Sequence, residues 1–285
     1  MKKIAYKINT ISLTGFLFGA CALFPASSFG EEIAVAPLAS APVIDGDGSD
    51  WAGAKSYAVA LDGDLSMKEV ILSAGTYGDE IFILAKWKDD DADEQHKPYV
   101  WNSDKKKYEK GSQKEDRFAI QFAMEGDYSV NWLSGKYFKA DTWHWKAARS
   151  NPIGLAQDKM TIVGGIAAKK AYKAKGPSGE DIYIQRPSDS GDKLYKTKRY
   201  RGYEKDVMPK YILTSAPSGS ITDVKAVGRW SDGEWVLEMK RKLDTGHADD
   251  VKFSSGSTVQ GGIAVFDKSG NDKHNLSSLL QFVFE

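Results

Sequence analysis

Asp141-Thr142-Trp143-His144-Trp145-Lys146-Ala147-Ala148-Arg149-Ser150-Asn151-Pro152-Ile153-Gly154 opens as a strand with two unlike faces. Successive side chains of a strand point to opposite sides. Asp141, Trp143, Trp145 and Ala147 therefore share one face, and Thr142, His144 and Lys146 share the other. The first face is apolar and aromatic. The second carries a nitrogen ligand. A chain built around such a strand needs a sheet with something to cover on each side.

Strand-like segments recur outward from this stretch, separated by turn residues. Arg117 to Ala123 is apolar on both faces around Gln121, as a central strand is. Lys159 to Ala167 is shorter and is interrupted by Gly164-Gly165. Val70 to Thr76 and Ile81 to Trp87 flank Tyr77-Gly78-Asp79-Glu80 and read as a hairpin. Asp223 to Trp230 and Trp235 to Leu243 flank Ser231-Asp232-Gly233-Glu234, whose Asp-Gly pair is a hairpin turn signal. Gly261 to Asp267 and Leu279 to Phe284 complete the set, and no long amphipathic helix is visible. Eight Trp, thirteen Tyr and twelve Phe suit this architecture. The pattern predicts an all-β, antiparallel sandwich or barrel. Two stretches, Asp89 to Gln113 and Lys169 to Lys210, read as long inserted loops that wall a ligand site or dock on a partner.

The amino-terminal segment reads as a signal peptide over residues 1–30. Lys2, Lys3 and Lys7 precede an uncharged apolar run from Ile11 to Phe24, and Pro25-Ala26-Ser27-Ser28-Phe29-Gly30 supplies small residues before Glu31. Cleavage after Gly30 is expected, with lipoprotein processing at Phe18-Gly19-Ala20-Cys21 as the alternative. The expected product is a soluble, periplasmic single domain over 31–285. It has lost the one cysteine, Cys21. Disulfides, thiolate zinc, iron–sulfur clusters and Cys-x-x-Cys-His haem attachment are then excluded. The processed chain carries 36 basic and 39 acidic residues. Nucleic-acid binding, which wants a basic stripe, is disfavoured.

The chemistry-bearing candidates are few. Asp45-Gly46-Asp47-Gly48-Ser49-Asp50-Trp51 and Asp89-Asp90-Asp91-Ala92-Asp93-Glu94 have acidic spacing, but neither has the glycine and glutamate positions of an EF-hand. They read as turn and solvated loop, with a weak calcium site as the minor alternative. His96 and His247 fall in polar segments and are expected at the surface; His274 precedes the last strand. Only His144 sits in a patterned strand, between two tryptophans. No Gly-x-Ser-x-Gly, His-Glu-x-x-His or phosphate loop is present, so catalysis by this chain alone is not expected. A haem pocket asks for an apolar slot, aromatic walls and one or two soft or nitrogen ligands. Met124, at the end of an apolar strand, and Lys240, on the strand face with Val236 and Glu238, join His144 as candidates, and Met239 points the other way.

Several segments together resemble the haem-binding domain of the ethylbenzene dehydrogenase γ subunit and related molybdenum enzymes of the dimethylsulfoxide reductase superfamily. They are Pro42-Val43-Ile44-Asp45-Gly46 with Asp50-Trp51, Glu115-Asp116-Arg117-Phe118-Ala119-Ile120-Gln121-Phe122, the 141–149 stretch with Asn151-Pro152-Ile153-Gly154, and Gly233-Glu234-Trp235-Val236 with Arg241-Lys242-Leu243, Thr245-Gly246 and Asp249-Asp250-Val251. The resemblance implies an immunoglobulin-like β-sandwich holding one non-covalent b-type haem. It implies a methionine and a lysine as axial ligands, with Met124 and Lys240 the nearest positions, Gln121 competing for the first and Lys225 for the second. Trp143 and Trp145 would wall the cofactor, and His144 would serve as ligand in other relatives. It also implies electron exchange with iron–sulfur and molybdenum subunits of an oxidoreductase or another periplasmic redox protein. The opening Ile-Asp-Gly…Trp piece is shared with carbohydrate-binding modules, so the rival expectation is a haem-free module stacking sugars on exposed Trp51, Trp143 and Trp145. A third is a docking subunit without cofactor, contacting its partner through 89–113 and 169–210.

Overall fold

The structure is a computed structural model that describes residues 30–270 and 273–285. The expected signal peptide up to Phe29, with Cys21, lies outside the described residues. Nineteen strands follow in order: β1 (Glu31–Pro37), β2 (Ser56–Asp62), β3 (Glu69–Tyr77), β4 (Glu80–Lys88), β5 (Tyr99–Asn102), β6 (Lys107–Lys110), β7 (Arg117–Gly126), β8 (Phe138–Lys146), β9 (Gln157–Gly164) and β10 (Tyr172–Lys175). Then come β11 (Asp181–Gln185), β12 (Tyr195–Thr197), β13 (Val207–Met208), β14 (Tyr211–Leu213), β15 (Lys225–Ser231), β16 (Glu234–Lys242), β17 (Thr258–Phe266), β18 (Asn275–Ser277) and β19 (Leu280–Phe284). Among the described residues the only helical pieces are three 3-10 turns. The fold is an antiparallel β-sandwich, as the alternation predicts.

One layer runs β10-β11-β9-β8-β7-β17, and the other runs β2-β3-β4-β16-β15. They join along one side, where β18 pairs with β2 and where β1 lies parallel to both β19 and β3. Between them sits a core contributed by alternate residues of both layers. It includes Val70 and Leu72 of β3, Ile120 and Phe122 of β7, Trp143 and Trp145 of β8, and Leu237 and Met239 of β16. The rings of Trp87 and Trp235 stack at 6.2 Å, and Trp145 meets Trp235 edge-on at 5.0 Å, the offset geometries that aromatic quadrupoles favour.

The turn at 232–233 shows why the Asp-Gly pair specifies a hairpin. Asp232 and Gly233 have φ of 51° and 79°, the left-handed pair whose twist matches the flanking strands.

The two long segments expected as loops are not structureless. Tyr99-Val100-Trp101 pairs with Tyr108-Glu109-Lys110 as the β5–β6 hairpin, and Val207 and Met208 of the second segment add β13 to its edge. The hidden signal is a short period-2 run inside a lysine-rich background, which composition masked. The two insertions therefore pack on one another.

Much of the sequence that carries the resemblance builds scaffold. Glu238, fully buried on β16, accepts from the backbone N–H of Asp45 and Gly46 (3.0 and 2.6 Å) and from Trp51 Nε1 (2.7 Å), so the Ile-Asp-Gly…Trp segment is clamped to the outer face of its layer. Asn151 Oδ1 accepts from Trp145 Nε1 (3.0 Å) and from the N–H of Gly228 (2.8 Å), tying the turn after β8 to β15. Gly228 is a glycine because a Cβ there would lie 2.5 Å from the Trp145 ring. Arg241 of β16 reaches across the sandwich to pair with Asp141 of β8, both side chains fully buried.

Candidate functional site

The alternation of β8 sends Trp143 and Trp145 inward and Thr142 and His144 outward. An outward sheet face ordinarily meets solvent, but this one is roofed. The segment after β7 brings Tyr128, Val130 and Trp132 over it, the β10–β11 hairpin brings Tyr172 and Ile184, and the segment around β18 brings His274 and Leu276. The partly covered cavity measures about 890 Å³, within the range of small-molecule and cofactor sites. Its floor is Ala119 and Gln121 of β7, Thr142 and His144 of β8, Lys159 and Thr161 of β9, and Gly262, Ala264 and Phe266 of β17. Gly262 permits the roof: a Cβ there would lie 2.5 Å from Val130 Cγ1.

The polar groups of the floor differ in availability. Gln121 is spent on structure. Its Nε2 donates to Thr142 Oγ1 and Thr161 Oγ1, both at 2.9 Å, and its Oε1 accepts from Trp132 Nε1 (3.2 Å) and Tyr128 OH (3.3 Å). His144 is not. Its Nε2 is buried and meets no hydrogen-bond partner among the described residues. Burial, with Lys146, Arg117 and Lys159 nearby, holds its pKa well below the usual imidazole value. At neutral pH the ring is uncharged, the state that ligates a metal. Phe266 stacks on it at 5.8 Å and 26°, and the His274 ring lies against the same phenyl group at 4.8 Å.

The other sequence candidates lie elsewhere. Trp143 and Trp145 are 0% exposed in the inter-layer core and do not line the cavity. Trp51 is 6% exposed. The expectation that these three tryptophans are exposed is corrected: alternation turns Trp143 and Trp145 into the core, and Trp51 packs on Phe82 and Leu84 with its Nε1 held by Glu238. Met124 packs against the inter-layer core. Lys240 lies on the outer face of the opposite layer, paired with Glu80 at 2.9 Å and over the Phe82 ring at 5.6 Å. Lys225 donates to the Thr222 carbonyl at 3.2 Å. Met124, His144 and Lys240 thus occupy three different surfaces of the sandwich, and the structure does not bring them together.

His247 is exposed as expected, paired with Asp223 at 2.7 Å. His96 is not at the surface. It is buried against Glu115 (3.2 Å) beside Arg149, and burial followed by the Arg149 charge pushes its pKa down to about 3. Among the described residues, three groups of side chains place ligand atoms within 4.8 Å of one another: Asp223–His247–Asp250, Asp89–Asp116–Asp267 and Asp141–Asp158–Asp250. In the third, Arg241 already pairs with Asp141 and Asp250. In the second, burial leads the causes that raise Asp89 to about 7 and Asp116 to about 8. Of the acidic run 89–94, only Asp89 joins that group.

Sequence reasoning did not single out Trp132, Lys159, Tyr172, Arg186 or Phe266. The available signal was the outward register of β9, which puts Lys159 and Thr161 beside Thr142 and His144, and the Gly261-Gly262 pair, which marks a close approach.

The family model described as ethylbenzene dehydrogenase matches residues 36–277. No curated protein matches the chain. Among solved structures, the chain is similar to a family 9 carbohydrate-binding module from Caldicellulosiruptor kristjanssonii in complex with glucose, at 10% identity and TM-score 0.41, covering 90% of this chain and 97% of that one. It is also similar to a putative carbohydrate-binding protein from Bacteroides uniformis, at 13% identity and TM-score 0.44, covering 89% and 100%.

Proposed function

The chain belongs to the ethylbenzene dehydrogenase family, and from that premise we propose that it is an exported electron-transfer protein or subunit that holds one non-covalent b-type haem in the cavity above His144. The reading places it in the periplasm after removal of residues 1–30, serving a molybdenum oxidoreductase through an iron–sulfur subunit or another redox protein. The observation that carries it is the unpartnered, buried Nε2 of a neutral His144 in the floor of a largely apolar cavity. Leaving a buried ring nitrogen without a hydrogen bond costs roughly 1–3 kcal/mol, and ligation would remove that cost.

When bound, haem supplies one-electron redox chemistry. The chain's own residues do the rest. His144 offers its nitrogen, and Phe266 fixes the imidazole plane. Tyr128, Val130 and Trp132 cover part of the cavity and would lower the water contact of a bound redox centre. His274, also packed against Phe266, is the second imidazole that lines the cavity. Met124 and Lys240 do not enter this ligand set, because neither lines the cavity. The sugar-binding rival loses Trp51, Trp143 and Trp145 as stacking platforms, so it would have to use Trp132 and Tyr172 of the same cavity.

Titration of the apo mature protein with haemin tests the reading. One equivalent is expected to give a sharp Soret band, and His144→Ala is expected to change its position and weaken binding while circular dichroism stays native. An identical spectrum and affinity in His144→Ala would remove His144 from the iron. Uptake of cello-oligosaccharide with none of haemin would decide for the rival.

A further inference from the structure

A second pocket of about 400 Å³ opens beside the main cavity and shares Lys159, Tyr172 and Arg186 with it. Its remaining lining is Lys169, Lys170, Gln185, Pro187 and Ser188. Four cations line this pocket and no acid does. Among the described residues none of the four forms a salt bridge, whereas Arg149 pairs with Glu115 and Arg241 with Asp141.

Two of the cations, Lys159 and Arg186, are held in place. Lys159 Nζ donates to the Arg186 carbonyl at 3.0 Å. The Arg186 guanidinium lies over Tyr172 at 5.2 Å and over Trp132 at 5.9 Å, which aims it along the boundary between the two pockets. Burial, followed by the charge of Arg186, pushes Lys159 down to about 8. A guanidinium flanked by ammonium groups is a carboxylate receptor by geometry and by charge.

We propose that this pocket seats the two propionate carboxylates of the haem, so that Lys159, Lys169, Lys170 and Arg186 set which end of the porphyrin faces outward. The inference rests on the haem reading and adds the recognition of its anionic edge. An apolar cavity joined to an acid-free cationic pocket fits a ligand with a greasy body and one doubly negative end.

The test compares haemin with haemin dimethyl ester, in which both carboxylates are masked while the iron and ring are unchanged. The apo mature protein is titrated with each, following the Soret band. Haemin is expected to bind roughly tenfold more tightly than the ester. Lys169 and Lys170 are exposed and can be reversed without disturbing the core. The variant carrying K169E and K170E should lose most of that preference by weakening haemin binding alone, and Arg186→Gln, checked for native circular dichroism, should do the same. Equal binding of haemin and ester to the unaltered protein would overturn the proposal and leave the haem reading standing. A Soret band with neither ligand would overturn the haem reading itself, and this inference with it.

Discussion

Replacing Arg241 by methionine should be among the most damaging single changes outside the cavity. The guanidinium is fully buried. Nη1 pairs with Asp141 and lies 3.6 Å from Asp250 Oδ1, Nη2 donates to the Val251 carbonyl, and the group sits over Trp143 at 5.1 Å and Phe253 at 5.2 Å. Methionine fills similar volume, so the loss is electrostatic rather than a cavity. It strands Asp141, whose one remaining partner at Oδ2 is the N–H of Val251 at 3.1 Å. Breaking a buried pair by removing one partner costs about 3–5 kcal/mol, and the lost cation–π contacts add about 0.5–1 kcal/mol. A loss of about 4 kcal/mol is a large share of the stability of an ordinary domain. Urea unfolding followed by tryptophan fluorescence measures it, provided the m-value is unchanged. Adding Asp141→Asn to Arg241→Met removes the stranded charge. The double variant should therefore be more stable than Arg241→Met alone, with a coupling energy of at least ~1.5 kcal/mol. A loss below ~1 kcal/mol, or additive single effects, would refute the view that this pair locks the two layers together.

Two further outcomes follow from the same physics. Gly228→Ala puts a Cβ against the Trp145 ring at 2.5 Å; overpacking of about 2 kcal/mol should lower Tm by roughly 4–8 °C, and an unchanged melt would contradict the packing. Asp89 is raised to about 7 by burial and then by Asp267. A carboxyl with a raised folded-state pKa is protonated in the folded state and ionised in the unfolded state between the two values. Its contribution is then favourable at low pH and is lost as pH rises through about 7. Asp89→Asn should therefore stabilise the protein at pH 8 by about 1–2 kcal/mol and by clearly less at pH 5, inside the window between the two pKa values; equal effects at both values, by chemical unfolding, would remove Asp89 from that role.

Most of the fold was legible because it depends on alternation. The β3–β4 and β15–β16 hairpins could be read from apolar runs around Gly78 and Asp232-Gly233, and β8 from its tryptophans. β1 and β2 escaped, because Glu31-Glu32-Ile33 and Ser56-Tyr57-Ala58 are mixed; β1 owes its strand state to pairing with the distant β19, and β2 to pairing with β3. The site was half legible. The period-2 rule assigned His144 to a face distinct from Trp143 and Trp145, but it could not say which face would be covered on both sides. Covering the outer face depends on Tyr128, Trp132 and Tyr172 coming back over the sheet, a long-range event with no local signature. Lys240 looked like a ligand because sequence spacing carries no information about which side of the sandwich a strand faces.

The central claim is that the mature protein carries haem in this cavity. The most direct measurement is a reduced-minus-oxidised visible spectrum of protein exported to the periplasm, followed by acid–acetone extraction. Sharp α and Soret bands with fully extractable haem, altered in His144→Ala, are the predicted result. A featureless spectrum that persists after haemin reconstitution would contradict it.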